Sequence, residues 1–79
     1  MAKGFQDQRY RGLIASLANR RGELGMSQAA LAKKLGTHQQ FVSRYETGER
    51  RLDVVEFVDI AFRLDLDPVA LVAGLVETA

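Results

Sequence analysis

Cysteine is absent from the 79 residues, which excludes a disulfide framework, a thiolate metal site and a thiol nucleophile. Histidine occurs once, at position 38, and a metal site would need companions that the chain does not supply. No glycine-rich phosphate loop and no recognisable pair of catalytic carboxylates is present, so the chain is not expected to be an enzyme or to use a cofactor. The opening MAKGFQDQ lacks the apolar core of a signal peptide. The longest apolar run near the other end, LVAGLV, is too short to span a bilayer. A soluble cytoplasmic chain is expected, without a membrane partner. Its length fits one domain, which at this size buries about 60% of the surface its unfolded chain exposes.

What is present is a divided charge. Residues 1–51 hold ten of the eleven Lys and Arg but only four of the ten Asp and Glu, a balance of +6. Residues 52–79 hold one Arg and six acids, a balance of −5, so the net charge of +1 conceals two opposed portions. A basic portion joined to an acidic one suits a molecule that presents one face to a polyanion.

The periodicity predicts an all-α fold of about five helices, with no repeats, linkers or low-complexity segments. Tyr10, Leu13, Ile14, Leu17, Arg21 and Leu24 recur at three- and four-residue steps, the pattern of one helix face. Gly25 sits where a left-handed cap would end that helix. Ser27 is a good N-cap for a second helix, QAALAKKL, which Gly36 closes, with Leu31, Ala32 and Leu35 inward. Thr37 is expected to cap a third, HQQFVSRYE, ending near Gly48. Asp53 begins a fourth, VVEFVDIAFRL, whose inward stripe is expected to be Val54, Phe57, Ile60, Ala61 and Leu64. Asp67 and Pro68 open a short fifth. Helices two and three meet over Gly36 and Thr37, a junction that fits a sharp helix-turn-helix.

On a helical wheel, Gln39, Gln40, Ser43 and Arg44 share one polar arc of the third helix, opposite Phe41, Val42 and Tyr45. The arc carries amides, a hydroxyl and a guanidinium rather than solubilising Lys–Glu pairs. It reads either as an amide-rich solvated face or as a surface for base edges, since glutamine can pair with adenine and arginine with guanine. An α-helix fits the major groove, with its N-terminal residues reaching furthest in.

QAALAKKLGTHQQFVSRYET, residues 28–47, resembles the helix-turn-helix of Cro/CI-type (XRE-like) DNA-binding domains, the lambda-repressor-like fold. Gln28, Leu31, Ala32, Leu35, Gly36, Val42, Tyr45 and Glu46–Thr47–Gly48 carry the match, with flanks in LGMSQ and RRLDVVEFVDIAFRLDLDP. The resemblance covers roughly residues 10–75. It implies a bundle over residues 9–76 behind a flexible arm, residues 1–8. Gln39, Gln40, Ser43 and Arg44 match base-reading positions. Ser27, Gln28, Thr37, Thr47, Arg50 and Arg51 match phosphate contacts, favoured at the start of helix two by its dipole and backbone N–H groups. Arg21 and Glu46 match an ion pair that orients the third helix. Two departures stand out: Glu49 where many relatives have lysine, and Phe41 where several phage repressors have a small residue. The wheel assigns Phe41 to packing. His38 reads as a polar or phosphate-facing residue.

The inward stripes leave Val55, Val58, Phe62, Val69 and Val72 surplus on helices four and five. They either line a wider core or form a dimer interface, and a homodimer is preferred. A two-fold protein would set its reading helices about 34 Å apart, one turn of a palindromic operator. The expected function is therefore a sequence-specific regulator of transcription, expected to act as a repressor, bound to double-stranded DNA and located in the cytoplasm at the nucleoid. The competing class is a protein-interaction module, antitoxin-like or adaptor, that takes a second protein as partner and has weak or lost DNA reading.

Overall fold

Five helices follow one another in the computed structural model, which describes residues 7–77: α1 (Gln8–Glu23), α2 (Gln28–Leu35), α3 (Gln39–Thr47), α4 (Val54–Arg63) and α5 (Pro68–Glu77). No strand occurs among the described residues. The all-α architecture expected from periodicity is the one observed. Of the expected arm, residues 1–6 lie outside the described residues; Asp7 and Gln8 are the N-cap and first residue of α1.

Side-chain caps explain most helix starts. The Asp7 carboxylate accepts the N–H groups of Arg9 (2.8 Å) and Tyr10 (3.4 Å). Ser27 Oγ accepts the Ala30 N–H at 3.0 Å, and Asp67 Oδ1 that of Val69 at 2.9 Å. Asp53 and Glu56 form a reciprocal capping box, each accepting the other's N–H, at 2.7 and 3.0 Å. The exception is α3. Its N-cap is His38, which makes no side-chain capping bond. Thr37, expected in that role, instead donates its N–H to the Ala32 carbonyl at 2.9 Å and so completes the closure of α2 around Gly36. Gly36 has φ +74, the left-handed conformation that this closure needs and that an L side chain resists.

Ile14, Leu17, Leu31, Ala32, Val42, Tyr45, Phe57, Ile60 and Leu64 form the core, drawing on α1 through α4 and the residue that ends α4. Each large side chain so buried contributes about 1.5–3 kcal/mol. Two long-range polar links join the helices around it. Arg20 Nε donates to the Leu64 carbonyl at 2.9 Å, tying α1 to the end of α4. The Leu52 N–H donates to the Tyr10 hydroxyl at 3.2 Å, tying the α3–α4 turn to α1.

Three apolar residues lie elsewhere than their periodicity suggests. Val54 is 77% exposed rather than inward, because it is the first residue of α4 and lines the groove between α4 and α5. Leu24 is partly exposed at the end of α1. Val58 is half-buried against the core instead of standing free on the surface. Val55, Phe62, Val69 and Val72 are exposed as expected of surplus residues.

Candidate nucleic-acid interface

The third helix docks through one side and presents the other. Val42 and Tyr45 are fully buried and Phe41 is half-buried, whereas Gln39, Gln40 and Arg44 are exposed and Ser43 is partly so. Thr37, His38, Gln40, Phe41, Arg44 and Arg50 surround a shallow depression on this outer side. Amide and guanidinium groups thus stand on a convex helix fixed from below by aromatic packing. Phe41 and Tyr45 meet at 5.6 Å between ring centroids, tilted by 58°.

Arg21 and Glu46 form the expected ion pair. Arg21 Nε donates to Glu46 Oε2 at 2.7 Å and Nη2 to Oε1 at 3.0 Å, joining α1 to α3. The pair is well shielded, with side chains 19% and 9% exposed. Hydrogen bonding to the Glu46 carboxylate raises Arg21 above its ordinary pKa. Arg21 Nη1 also donates to the Met26 carbonyl at 2.8 Å, which holds the approach to α2. Glu46 Oε1 in turn accepts from Gln28 Nε2 at 2.9 Å, and Gln28 Oε1 accepts from Gln39 Nε2 at 3.3 Å. One continuous polar chain therefore runs from α1 through α3 and α2 to the exposed amide of Gln39.

The residues expected to face phosphate occupy different situations. Ser27 caps α2, and its Oγ is engaged there. Gln28 has both amide atoms in the chain just described, and its backbone N–H lies in the first turn of α2, where helix N–H groups have no partner within the helix. Thr37 is half-buried in the turn. The Thr47 hydroxyl has the Arg44 carbonyl and Glu49 Oε2 as acceptors, each at 3.2 Å. Arg51 is exposed, with its guanidinium 5.1 Å from the centre of the Tyr10 ring. Arg50 is the most heavily engaged of them within the fold. Its two terminal nitrogens fork onto Glu56 at 2.8 and 2.7 Å, and its guanidinium lies 4.8 Å from the Phe41 ring centre. Hydrogen bonding to Glu56 raises Arg50, and Arg50 lowers Glu56.

Sequence reasoning did not find this Arg50–Glu56 fork or the linking role of Gln28. One signal was available for Glu56: it stands three residues after Asp53, the capping-box spacing that places its carboxylate back over the start of α4.

The helix-turn-helix family model HTH_3 matches residues 17–71, the span from the middle of α1 into α5. The chain belongs to the XRE-like helix-turn-helix family. A solved structure from Pseudomonas syringae pv. tomato str. DC3000, an XRE-family like protein, is similar at 40% identity and a TM-score of 0.86, covering 98% of this chain and 94% of its own. No curated protein matches the chain. Membership of the XRE family makes the protein a DNA-binding regulator of transcription, with α2 and α3 as its helix-turn-helix. Among the described residues of this XRE-family protein, no helix is long and apolar enough to cross a membrane. No group of three or more His, Cys, Asp and Glu among them could hold a metal ion.

Proposed function

We propose that this XRE-family protein is a sequence-specific repressor that binds a palindromic operator as a homodimer, with α3 of each copy in the major groove. The observation that carries the reading is the face of α3. Gln39, Gln40 and Arg44 are exposed on a helix whose opposite side docks through the fully buried Val42 and Tyr45 and the half-buried Phe41. Gln40 and Arg44 are one turn apart, so they address neighbouring base pairs, the amide matching adenine and the guanidinium matching guanine. Gln39 stands beside them, and Ser43 lies at the margin of the same surface. The first turn of α2, Thr37, Thr47 and Arg51 would hold the phosphates that flank this reading.

The dimer reading rests on the apolar side of α4 and α5. Phe62 is 63% exposed and Val69 75%, and Val55, Val72 and Val76 add to the exposed apolar residues. Val58, Val69, Val72 and Ala73 line an apolar groove between the two helices. A second copy placed there would make a two-fold protein for a two-fold site. Repression follows from occupying the operator.

Selection of bound duplexes from a random pool tests the proposal. A palindromic consensus with half-sites one helical turn apart is the expected result. Failure to bind any duplex at low salt sinks the repressor reading and leaves the apolar α4–α5 face as the working surface, the behaviour of a protein-interaction module.

A further inference from the structure

Arg50 follows the reading helix and resembles a phosphate ligand by position, yet its guanidinium is already engaged by a carboxylate, a carbonyl and an aromatic ring of its own fold. Its backbone N–H donates to the carbonyl of Arg44 at 3.1 Å, closing the end of α3 behind a base-reading residue. Its guanidinium lies over the Phe41 ring, whose other neighbour is the fully buried Tyr45. Its terminal nitrogens fork onto Glu56, and Nη1 also donates to the Arg51 carbonyl at 3.1 Å. Glu56 is itself fixed, because the same Oε1 accepts the Asp53 N–H in the capping box of α4. One residue therefore links three things: through its backbone the end of α3, and through its side chain the Phe41 ring of α3 and the first turn of α4.

We propose that Arg50 is a positioning residue that sets the roll of α3 against α4, and that it is not a phosphate ligand. The inference rests on the reading of α3 as the DNA-reading helix. An arginine already forked to a carboxylate forms a neutral pair and displaces few counterions, so it adds little to the salt-dependent part of DNA binding. Turning it towards phosphate would break two charge-assisted hydrogen bonds and strip the carboxylate of Glu56 of its partner. Planar forking and stacking together are what lysine cannot reproduce. Gln40 and Arg44 lie on the side of α3 next to Phe41, so a roll of the helix about its Phe41 anchor would carry both reading groups with it.

The test uses the full chain, the duplex selected from a random pool and a scrambled duplex of equal length. Binding is measured over a range of potassium chloride concentrations for the parent, Arg50→Gln, Arg50→Lys, Glu56→Gln and the double variant Arg50→Gln/Glu56→Gln. Glu56→Gln keeps an acceptor for the Asp53 N–H and leaves Arg50 in place, so it decides the matter even if Arg50→Gln does not fold. A positioning role requires each single variant, Arg50→Lys included, to weaken the selected duplex by about three- to tenfold, with the double variant no worse than either single. For the charge-conserving Arg50→Lys and the double variant, binding to the scrambled duplex and the slope of log affinity against log salt stay as in the parent. A phosphate role gives the reverse: Arg50→Gln lowers that slope by about one, Arg50→Lys behaves as the parent, and Glu56→Gln tightens both duplexes. That pattern, or no effect of Glu56→Gln on the selected duplex, overturns the inference. A parent protein that selects no duplex overturns the DNA reading and the inference with it.

Discussion

Arg21 and Glu46 face one another fork to fork across α1 and α3, at 2.7 and 3.0 Å, and the same carboxylate accepts from Gln28 at 2.9 Å. Removing Glu46 thus strands two donors at once, in a place shielded from water. Glu46→Ala is expected to lower stability by about 2–3 kcal/mol, as loss of one partner leaves the other charge buried without compensation. Urea denaturation followed by circular dichroism measures it. A loss below a few tenths of a kcal/mol would mean that the pair is energetically idle.

Tyr45 presents the opposite case. Its side chain is fully buried, and its hydroxyl has no hydrogen-bond partner among the described residues. Burial pushes the phenol pKa up, since the phenolate would be desolvated. Tyr45→Phe keeps the ring contact with Phe41 and deletes an unsatisfied polar atom, so stability is expected to rise by about 1 kcal/mol. A lowered melting temperature would contradict this.

Base reading and phosphate holding separate by their sequence dependence. Gln40→Ala and Arg44→Ala are each expected to lose about 1–3 kcal/mol on the selected duplex and to relax selection at particular bases. Arg51→Ala should instead weaken all duplexes alike and reduce the salt slope by about one. Repeating the random-pool selection with each variant checks both. An unchanged consensus for Gln40→Ala and Arg44→Ala would count against α3 as the reader.

Phe62 is the largest exposed apolar side chain on α4, and a charge there should be tolerated by a monomer but not by a dimer. Phe62→Glu is expected to shift the sedimenting species from dimer to monomer while leaving the helical content intact. Equal masses for the two proteins would refute this interface.

Acid should act partly through the start of α1. Arg9 and the capped N–H groups hold Asp7 well below its usual range, at about 2 against 3.8. A carboxyl with a lowered folded pKa contributes stability that is complete above 3.8 and is lost as pH falls towards about 2. Asp7→Asn keeps a good N-cap and removes the titration. The stability difference between parent and Asp7→Asn should therefore shrink as pH falls from 5 to about 2. A difference that stays constant over that interval would show that Asp7 does not titrate in this way.

Much of the fold was legible because its punctuation is local. QAALAKKL matches α2 at both ends, since Ser27 supplies a cap acceptor and Gly36 supplies the left-handed closure within a few residues. The start of α3 was misplaced for the same reason read in reverse. Thr37 has the right chemistry for a cap, but its backbone was already committed to closing α2. The Arg21–Glu46 pair, 25 residues apart, entered only through family resemblance; periodicity offers no rule for such a distance. The Arg50–Glu56 fork was hidden because it depends on how the α3–α4 turn folds back, which neither composition nor helical spacing encodes. Val54 misled through its side-chain type: an apolar residue in the first turn of a helix need not lie over the core.

The missing side-chain cap on α3 grades the reading helix along its length. Its first turn is held by the packing of Phe41 and by one long bond that the Gln39 amide donates to Gln28 Oε1, while Arg44 stands between two fully buried residues, Val42 and Tyr45. Beyond the Phe41 anchor, the glutamine side chains at the front are therefore held by fewer contacts than the rear of the helix. Operators bound by one such protein would vary most under the glutamines and stay fixed under the arginine, so forgiveness and stringency are divided within a single nine-residue helix.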